Sequence, residues 1–252
     1  MNLLILGGTS EASALGRALA EDGRFRATIS LAGRTRNPAP QPLPARSGGF
    51  GGIDGLVGYI IEHCIDALID ATHPFAAQMS RHAEAAARQT ATDILVIQRH
   101  AWQKQLSDRW IEVPDLPAAA QAIGPVARRV LLTIGQKDLE PFAAAPHHHY
   151  LLRSVDAPPP ESLPQRTEVI TARGPFALAD ELELMRAQQI DVLVTKNSGG
   201  TATEAKLTAA RMLHLPVIMV ARPAPPTAET VATVPEALAW LARRHAAHQR
   251  GE

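Results

Sequence analysis

Cysteine is nearly missing from this chain. Cys64 stands alone among 252 residues, so an intrachain disulfide is excluded. Tyrosine is almost as scarce. Tyr59 and Tyr150 are the two present, and four places on from them stand His63 and Ser154. The Tyr-x-x-x-Lys pair, a phenol activated by a lysine one helical turn away, is therefore lacking, and short-chain dehydrogenase or epimerase chemistry goes with it. Surplus charge is lacking too. Lys+Arg and Asp+Glu are both 25, so a generally basic surface that coats nucleic acid is not expected. No run of about 18 apolar residues occurs, and no membrane span is expected. The stretch Met1-Asn2-Leu3-Leu4-Ile5-Leu6 enters an apolar strand at once, without a basic region or cleavage site, which is not a signal-peptide pattern. A soluble cytoplasmic protein without nucleic-acid or membrane partners is expected. No metal is expected either. His147-His148-His149 would point different ways on a strand, and no Cys or carboxylate has ligand spacing nearby.

What is present is a 46% hydrophobic composition, enough for one large core or two of about 125 residues each. Apolar runs alternate with helical patterns along the whole chain. That alternation predicts an α/β protein with mostly parallel sheets. Leu3 to Leu6 reads as a strand buried on both faces, and Glu11 to Glu21 as a helix. Between them lies Gly7-Gly8-Thr9-Ser10. A strand, a glycine turn and a helix start suggest a nucleotide-binding βαβ unit, with Gly7, Gly8, Thr9, Ser10 and Glu11 as cofactor-binding candidates. The turn departs from G-x-G-x-x-G, because Thr9 and Ala12 occupy the second and third glycine positions.

Arg26 to Leu31 reads as the second strand. Its end carries Arg34 and no carboxylate, which favours a 2′-phosphorylated dinucleotide over one with a free 2′-hydroxyl. Arg36 is a second candidate for that phosphate. After a proline-rich stretch, Ser47-Gly48-Gly49-Phe50-Gly51-Gly52 needs either tight backbone geometry or a close ligand, and Gly48 and Gly49 join the cofactor candidates. The strand Ala67 to Ile69 leads to Asp70-Ala71-Thr72-His73-Pro74, where Pro74 suits a first helical position. Ala71 and Thr72 are further cofactor candidates and His73 a catalytic one, since α/β proteins bind ligands at strand carboxyl ends.

The most informative stretch is Val194-Thr195-Lys196-Asn197-Ser198-Gly199-Gly200-Thr201. A strand runs into a polar turn, and Thr203 to Leu213 reads as the helix that follows. Helix-start N–H groups, the positive dipole end and these side-chain donors would together receive a carboxylate or phosphate. Lys196 is the second catalytic candidate; Asn197, Ser198, Gly199, Gly200 and Thr201 are substrate-binding candidates. Six expected strands are followed by a cation: Arg34, Arg99, Arg153, Arg173, Lys196 and Arg222. A neutral protein would thus concentrate positive charge at its ligand edge, so the partner should be anionic. Gly124-Pro125 is the expected boundary between domains 1–124 and 125–252. A weak echo, Val96 to Pro114 against Val217 to Pro235, supports two similar domains facing across a cleft.

Seven segments, in order, resemble the precorrin-6A reductase family of cobalamin biosynthesis. They are Leu6 to Glu11, Ser47 to Gly52, Ile69 to Ala76, Leu132 to Gly135, Arg173 to Phe176, Val194 to Gly200, and Val217 to Val220 with Arg222-Pro223. The resemblance implies two Rossmann-like three-layer domains, the first binding NADPH and the second contributing the substrate site. It implies hydride transfer to a ring carbon of precorrin-6A, an anionic tetrapyrrole, giving precorrin-6B. It leaves room for transient contact with neighbouring enzymes of the pathway. The family has cobalt-free and cobalt-containing branches, and any cobalt would belong to the substrate. On this footing Lys196 could stabilise charge or deliver a proton, with His73 the second choice, and Arg99, Arg153, Arg173 and Arg222 would grip the ring's carboxylates. Alternatives are a non-catalytic NADP-binding sensor and a reductase of another conjugated anionic substrate.

Overall fold

The computed structural model describes residues 1–33 and 39–251, and it divides into two compact units. The first comprises Met1–His100 and Pro223–Glu252, the second Ala101–Arg222. Arg34 and Arg36, expected at the cofactor's 2′-phosphate, lie outside the described residues.

In the first unit the chain runs β1 (Asn2–Leu6), α1 (Ser10–Leu19), β2 (Arg26–Leu31), β3 (Ala45–Ser47), α2 (Ile53–Glu62), β4 (Ala67–Asp70), α3 (Ala77–Thr90) and β5 (Asp93–Ile97). The apolar run of β1 is buried because the strand lies between β2 and β4, all parallel. Alternate side chains of β1 then go to opposite faces. Ile5 joins Leu15, Leu19 and Ile29 in one core, while Leu4 and Leu6 join Leu56, Ile60, Leu68, Ala83 and Ala87 in the other. The result is a three-layer sandwich, and each enclosed Leu or Ile contributes roughly 1.5–3 kcal/mol. β3 was not expected. It is three residues long and follows a proline-rich stretch, so periodicity cannot show it; pairing of Ile29 with Ala45 and Leu31 with Ser47 makes it a strand.

The second unit contains β6 (Arg109–Val113), α4 (Leu116–Ala122), β7 (Arg129–Thr133), β8 (His149–Ser154), β9 (Thr167–Thr171), α5 (Leu178–Ala187), β10 (Val192–Lys196), α6 (Ala205–Met212) and β11 (Pro216–Val220). The chain then re-enters the first unit as β12 (Thr230–Val231) and α7 (Val234–Arg250). Strand orders are β12-β5-β4-β1-β2-β3 and β6-β11-β10-β7-β8-β9, and every pairing is parallel.

The expected boundary at Gly124 is thereby displaced. β6 pairs with β11, Trp110 opposite Val217, so residues 101–124 belong to the second unit. β12 pairs with β5, Thr230 opposite Val96, and α7 adds Trp240 and Leu241 to the first unit's core. A Gly-Pro turn signals a local bend; which sheet a strand joins is decided by partners distant in sequence. The internal echo has a structural meaning of its own. Its two copies are the segments through which the sheets exchange edge strands. Each exchanged strand leads into a helix with a side-chain N-cap, Asp115 for α4 and Thr233 for α7.

Candidate active site

All strands of a parallel sheet end on one edge, so each unit brings its strand-end residues together. In the first unit the edge is built from glycines. A Cβ on Gly7 would lie 2.9 Å from Ile29 Cγ2, so only glycine lets this turn close against β2; the Gly7 N–H donates to the Ser30 carbonyl at 2.9 Å. Gly8 follows at φ 110°, a conformation that side chains rarely adopt, and a Cβ there would meet no heavy atom within 4 Å among the described residues. Thr9 is the N-cap of α1. Its Oγ accepts from the Ala12 N–H at 3.2 Å and donates to the Ala71 carbonyl at 2.7 Å, tying the β1 turn to the end of β4. Thr9 and Ala71, both expected to touch cofactor, hold each other.

Glu11, in the first turn of α1, would repel a phosphate by itself. Arg99 prevents this. Its guanidinium donates to Glu11 Oε2 at 2.8 Å with both side chains mostly enclosed, and Ser10 Oγ donates to the same oxygen at 3.0 Å. Asp70 is buried at the end of β4, and its Oδ1 accepts from both the N–H and the hydroxyl of Thr72. Helix α3 begins later than expected. Pro74 is not its first residue, because a turn intervenes: the Ala76 N–H donates to the His73 carbonyl at 2.7 Å and the Phe75 N–H to His73 Nδ1 at 3.2 Å.

Arg46, on β3, was not among the expected site residues. Its Nη1 donates to Ser30 Oγ at 2.7 Å and the Gly48 carbonyl at 3.0 Å, and its Nη2 to the Gly49 carbonyl at 3.1 Å. The signal available was a cation directly before the glycine run, though nothing marked the residue as lying on a strand.

The second unit's edge is built from cations. Lys196 ends β10, and its Nζ donates to Asp138 Oδ2 at 2.5 Å with the lysine side chain 13% exposed. Asp138 follows β7, the neighbour of β10, in the loop that begins Gly135-Gln136. It too was missed, since strand adjacency is not written in spacing.

The loop after Lys196 departs from the expected helix-start anion site. A short 3₁₀ turn, Thr201–Thr203, intervenes, and α6 starts at Ala205 without a side-chain cap. Asn197 straps the Trp102 backbone: Oδ1 accepts its N–H at 2.8 Å and Nδ2 donates to its carbonyl at 3.2 Å. Trp102 Nε1 donates to the Gly200 carbonyl at 3.1 Å. Arg222 donates to the Asn197 and Ser198 carbonyls at 2.8 and 2.9 Å. Gly199 and Gly200 have φ 69° and 84°, which lets these carbonyls turn toward their donors.

Arg153 is a correction. Expected on the charged rim, it is buried, donates to Glu181 Oε1 at 2.5 Å and stacks 3.9 Å over the Phe176 ring. It lies within β8 opposite Ile170, so its side chain enters the packed layer instead of the edge. Arg173 follows β9 and is exposed.

Of the histidine triplet, His147 and His149 are exposed. His148 is enclosed, its Nδ1 accepts from the Arg128 N–H at 3.3 Å, and burial pushes its imidazole below the ordinary 6.5. His147 and Arg128 act in the same direction, while the Gly124 backbone opposes them weakly. Beside it, burial pushes the Tyr150 phenol up to about 12 while its hydroxyl donates to the Phe142 and Ala145 carbonyls.

One unit has a glycine-built turn at a helix start with its nearby carboxylate neutralised; the other gathers lysine and arginine at its strand ends. These are the attributes of an α/β reductase of two Rossmann-like units. The chain belongs to the precorrin-6x reductase CbiJ/CobK family, which matches residues 2–242. It is 51% identical to the precorrin-6A reductase of Rhodobacter capsulatus, covering 99% of this chain and 98% of that one. It is 49% identical to the precorrin-6A reductase of a Sinorhizobium species, covering 95% and 94%. A solved structure described as CobK precorrin-6A reductase superposes with a TM-score of 0.92 at 50% identity, covering 97% of each chain. Among the described residues no helix is long and apolar enough to cross a membrane.

Proposed function

We propose that this chain is an NADPH-dependent oxidoreductase that reduces precorrin-6A to precorrin-6B in the cytoplasm. What carries the proposal is likeness along almost the whole of both chains to a structure described as a precorrin-6A reductase, at 50% identity. The residues of the first unit fit the cofactor. Gly8 offers an unobstructed turn, the N-terminus of α1 offers backbone N–H groups to a pyrophosphate, and Arg99 cancels the charge of Glu11 beside it. The bound cofactor supplies the hydride; the ring gains that hydride and one proton, and NADP⁺ is left.

The rest of the chemistry falls to the chain's own groups. The second unit's cations, Lys196, Arg173 and Arg222, are assigned to the acetate and propionate groups of the ring, which are strongly anionic at neutral pH. Arg222 and Trp102 hold the Asn197–Gly200 loop through its carbonyls, so its conformation is set before substrate arrives. Lys196 Nζ, fixed by Asp138, is the group assigned to proton delivery or to stabilising charge on the ring. His73 is the second candidate for that proton.

The test is anaerobic incubation with NADPH and precorrin-6A while the absorbance of both chromophores is followed. One NADPH oxidised per ring reduced is expected. Cofactor binding with no precorrin-dependent oxidation would turn the protein into a sensor and end the proposal.

A further inference from the structure

Arg46 is a half-buried cation whose partners are all neutral. They are the Ser30 hydroxyl and the carbonyls of Gly48 and Gly49. Among the described residues no carboxylate pairs with it, in contrast to Arg99 and Arg153, each matched to a glutamate. A guanidinium has five N–H donors in one plane. Three contacts go to those oxygens.

The position of this charge is well defined. Arg46 stands opposite Ser30 in the β2–β3 ladder, and its contacts to Gly48 and Gly49 carry it past the end of β3. Ser30 accepts the Gly7 N–H on its carbonyl and Arg46 on its hydroxyl, so one residue links the cation to the β1 glycine turn. Two strand spacings, roughly 10 Å, separate β1 from β3. A dinucleotide whose pyrophosphate sits on the β1 turn extends its adenosine ribose toward the ends of β2 and β3. Backbone leaves room there. Gly48 has φ 112°, and a Cβ on it would meet nothing within 4 Å among the described residues. A Cβ on Gly33 would lie 3.3 Å from Gly48 N and Ser47 Oγ, so the two loops meet closely enough to need glycine. The face of the guanidinium is covered by the Phe50 ring at 4.0 Å, which fixes its plane.

We infer that Arg46 is a specificity-determining residue: it supplies the fixed positive charge that receives the 2′-phosphate of the dinucleotide and so selects NADPH over NADH. This rests on the NADPH reading proposed above. A cation held by neutral oxygens keeps its full charge for an anion, and its immobility spares the ligand the entropy of ordering it.

Equilibrium binding of NADPH, NADH, adenosine 2′,5′-bisphosphate and AMP to the whole chain tests it, with Arg46→Gln and Arg46→Lys beside the wild type. In Arg46→Gln, NADPH and the bisphosphate should weaken about tenfold or more, while NADH and AMP change little. Arg46→Lys should fall between. If all four ligands weaken together, Arg46 only builds the glycine loop, and the inference fails. A wild-type preference for NADPH that survives both substitutions also overturns it and leaves the cofactor reading standing. Equal wild-type affinity for NADPH and NADH overturns the cofactor reading itself. Should Arg46→Gln not fold, the NADPH to NADH ratio of Arg46→Lys decides.

Discussion

The two units use the same architecture and furnish their ligand edges in different ways. The first relies on the absence of side chains. Gly7 and Gly8 let backbone approach, and the carboxylate of Glu11 beside them is paired with Arg99. The second relies on long charged side chains held by the protein itself, Lys196 by Asp138 and Arg222 on loop carbonyls. A dinucleotide has a constant phosphate skeleton that main-chain N–H groups can read. A ring bearing many carboxylates needs separate charges, each kept in place. Position along a strand also matters. Arg153 and Lys196 both belong to strands of one sheet, yet the first is packed against Glu181 and the second ends its strand at the edge.

The largest effect is expected at Lys196. Lys196→Met should lower kcat about 100-fold or more, the range of a lost general acid, with the Kd for NADPH unchanged. Single-turnover kinetics beside a cofactor titration checks this, and an undiminished kcat would remove the lysine from the chemistry. Asp138→Asn should give a smaller fall in kcat, because the ammonium persists but loses its anchor.

Arg153→Met breaks the contrast in the other direction. It strands the Glu181 carboxylate in the interior and should cost about 3–5 kcal/mol of stability, read as a drop in Tm. The folded fraction should retain its KM for substrate. A raised KM with unchanged Tm would return Arg153 to the binding surface.

Gly8→Ala sharpens the first unit's half. A left-handed backbone costs an alanine roughly 1–2 kcal/mol, and the added methyl occupies space assigned to the cofactor. NADPH binding should weaken about tenfold, while substrate binding to the second unit is spared.

The smallest effect concerns His148. Its folded pKa lies below the unfolded 6.5, so below that pH the unfolded chain binds more protons. Stability should therefore be complete above about pH 6.5 and decline as pH falls through the window beneath it. His148→Gln should flatten the Tm profile there, with no change at neutral pH.

Much of the α/β framework was legible from local chemistry. Leu3 to Leu6 and Arg26 to Leu31 become β1 and β2 because continuous apolar or β-branched runs have few other uses. Strand ends were nearly as readable: Lys196 closes β10, and Thr72 and Arg99 follow the ends of β4 and β5, although Arg99, expected on the substrate, pairs with Glu11. Three things were not readable. The burial of Arg153 depends on Glu181, a partner on another element. The Lys196–Asp138 pair depends on β7 and β10 being neighbours. The use of Asn197 as a strap depends on Trp102, nearly a hundred positions away by chain and adjacent in space. In each case the motif is local and the partner that holds it lies far along the chain.

The exchange of edge strands has a bearing on how the molecule is made. β6 and α4 leave the ribosome long before β11, the strand they pair with, and β5 must wait for β12. The first unit lacks Trp240 and Leu241 until the second has been synthesised in full. Its maturation consequently follows synthesis of the second unit, and a nascent chain halted before Pro223 would present an uncovered apolar sheet face to the cell's chaperones.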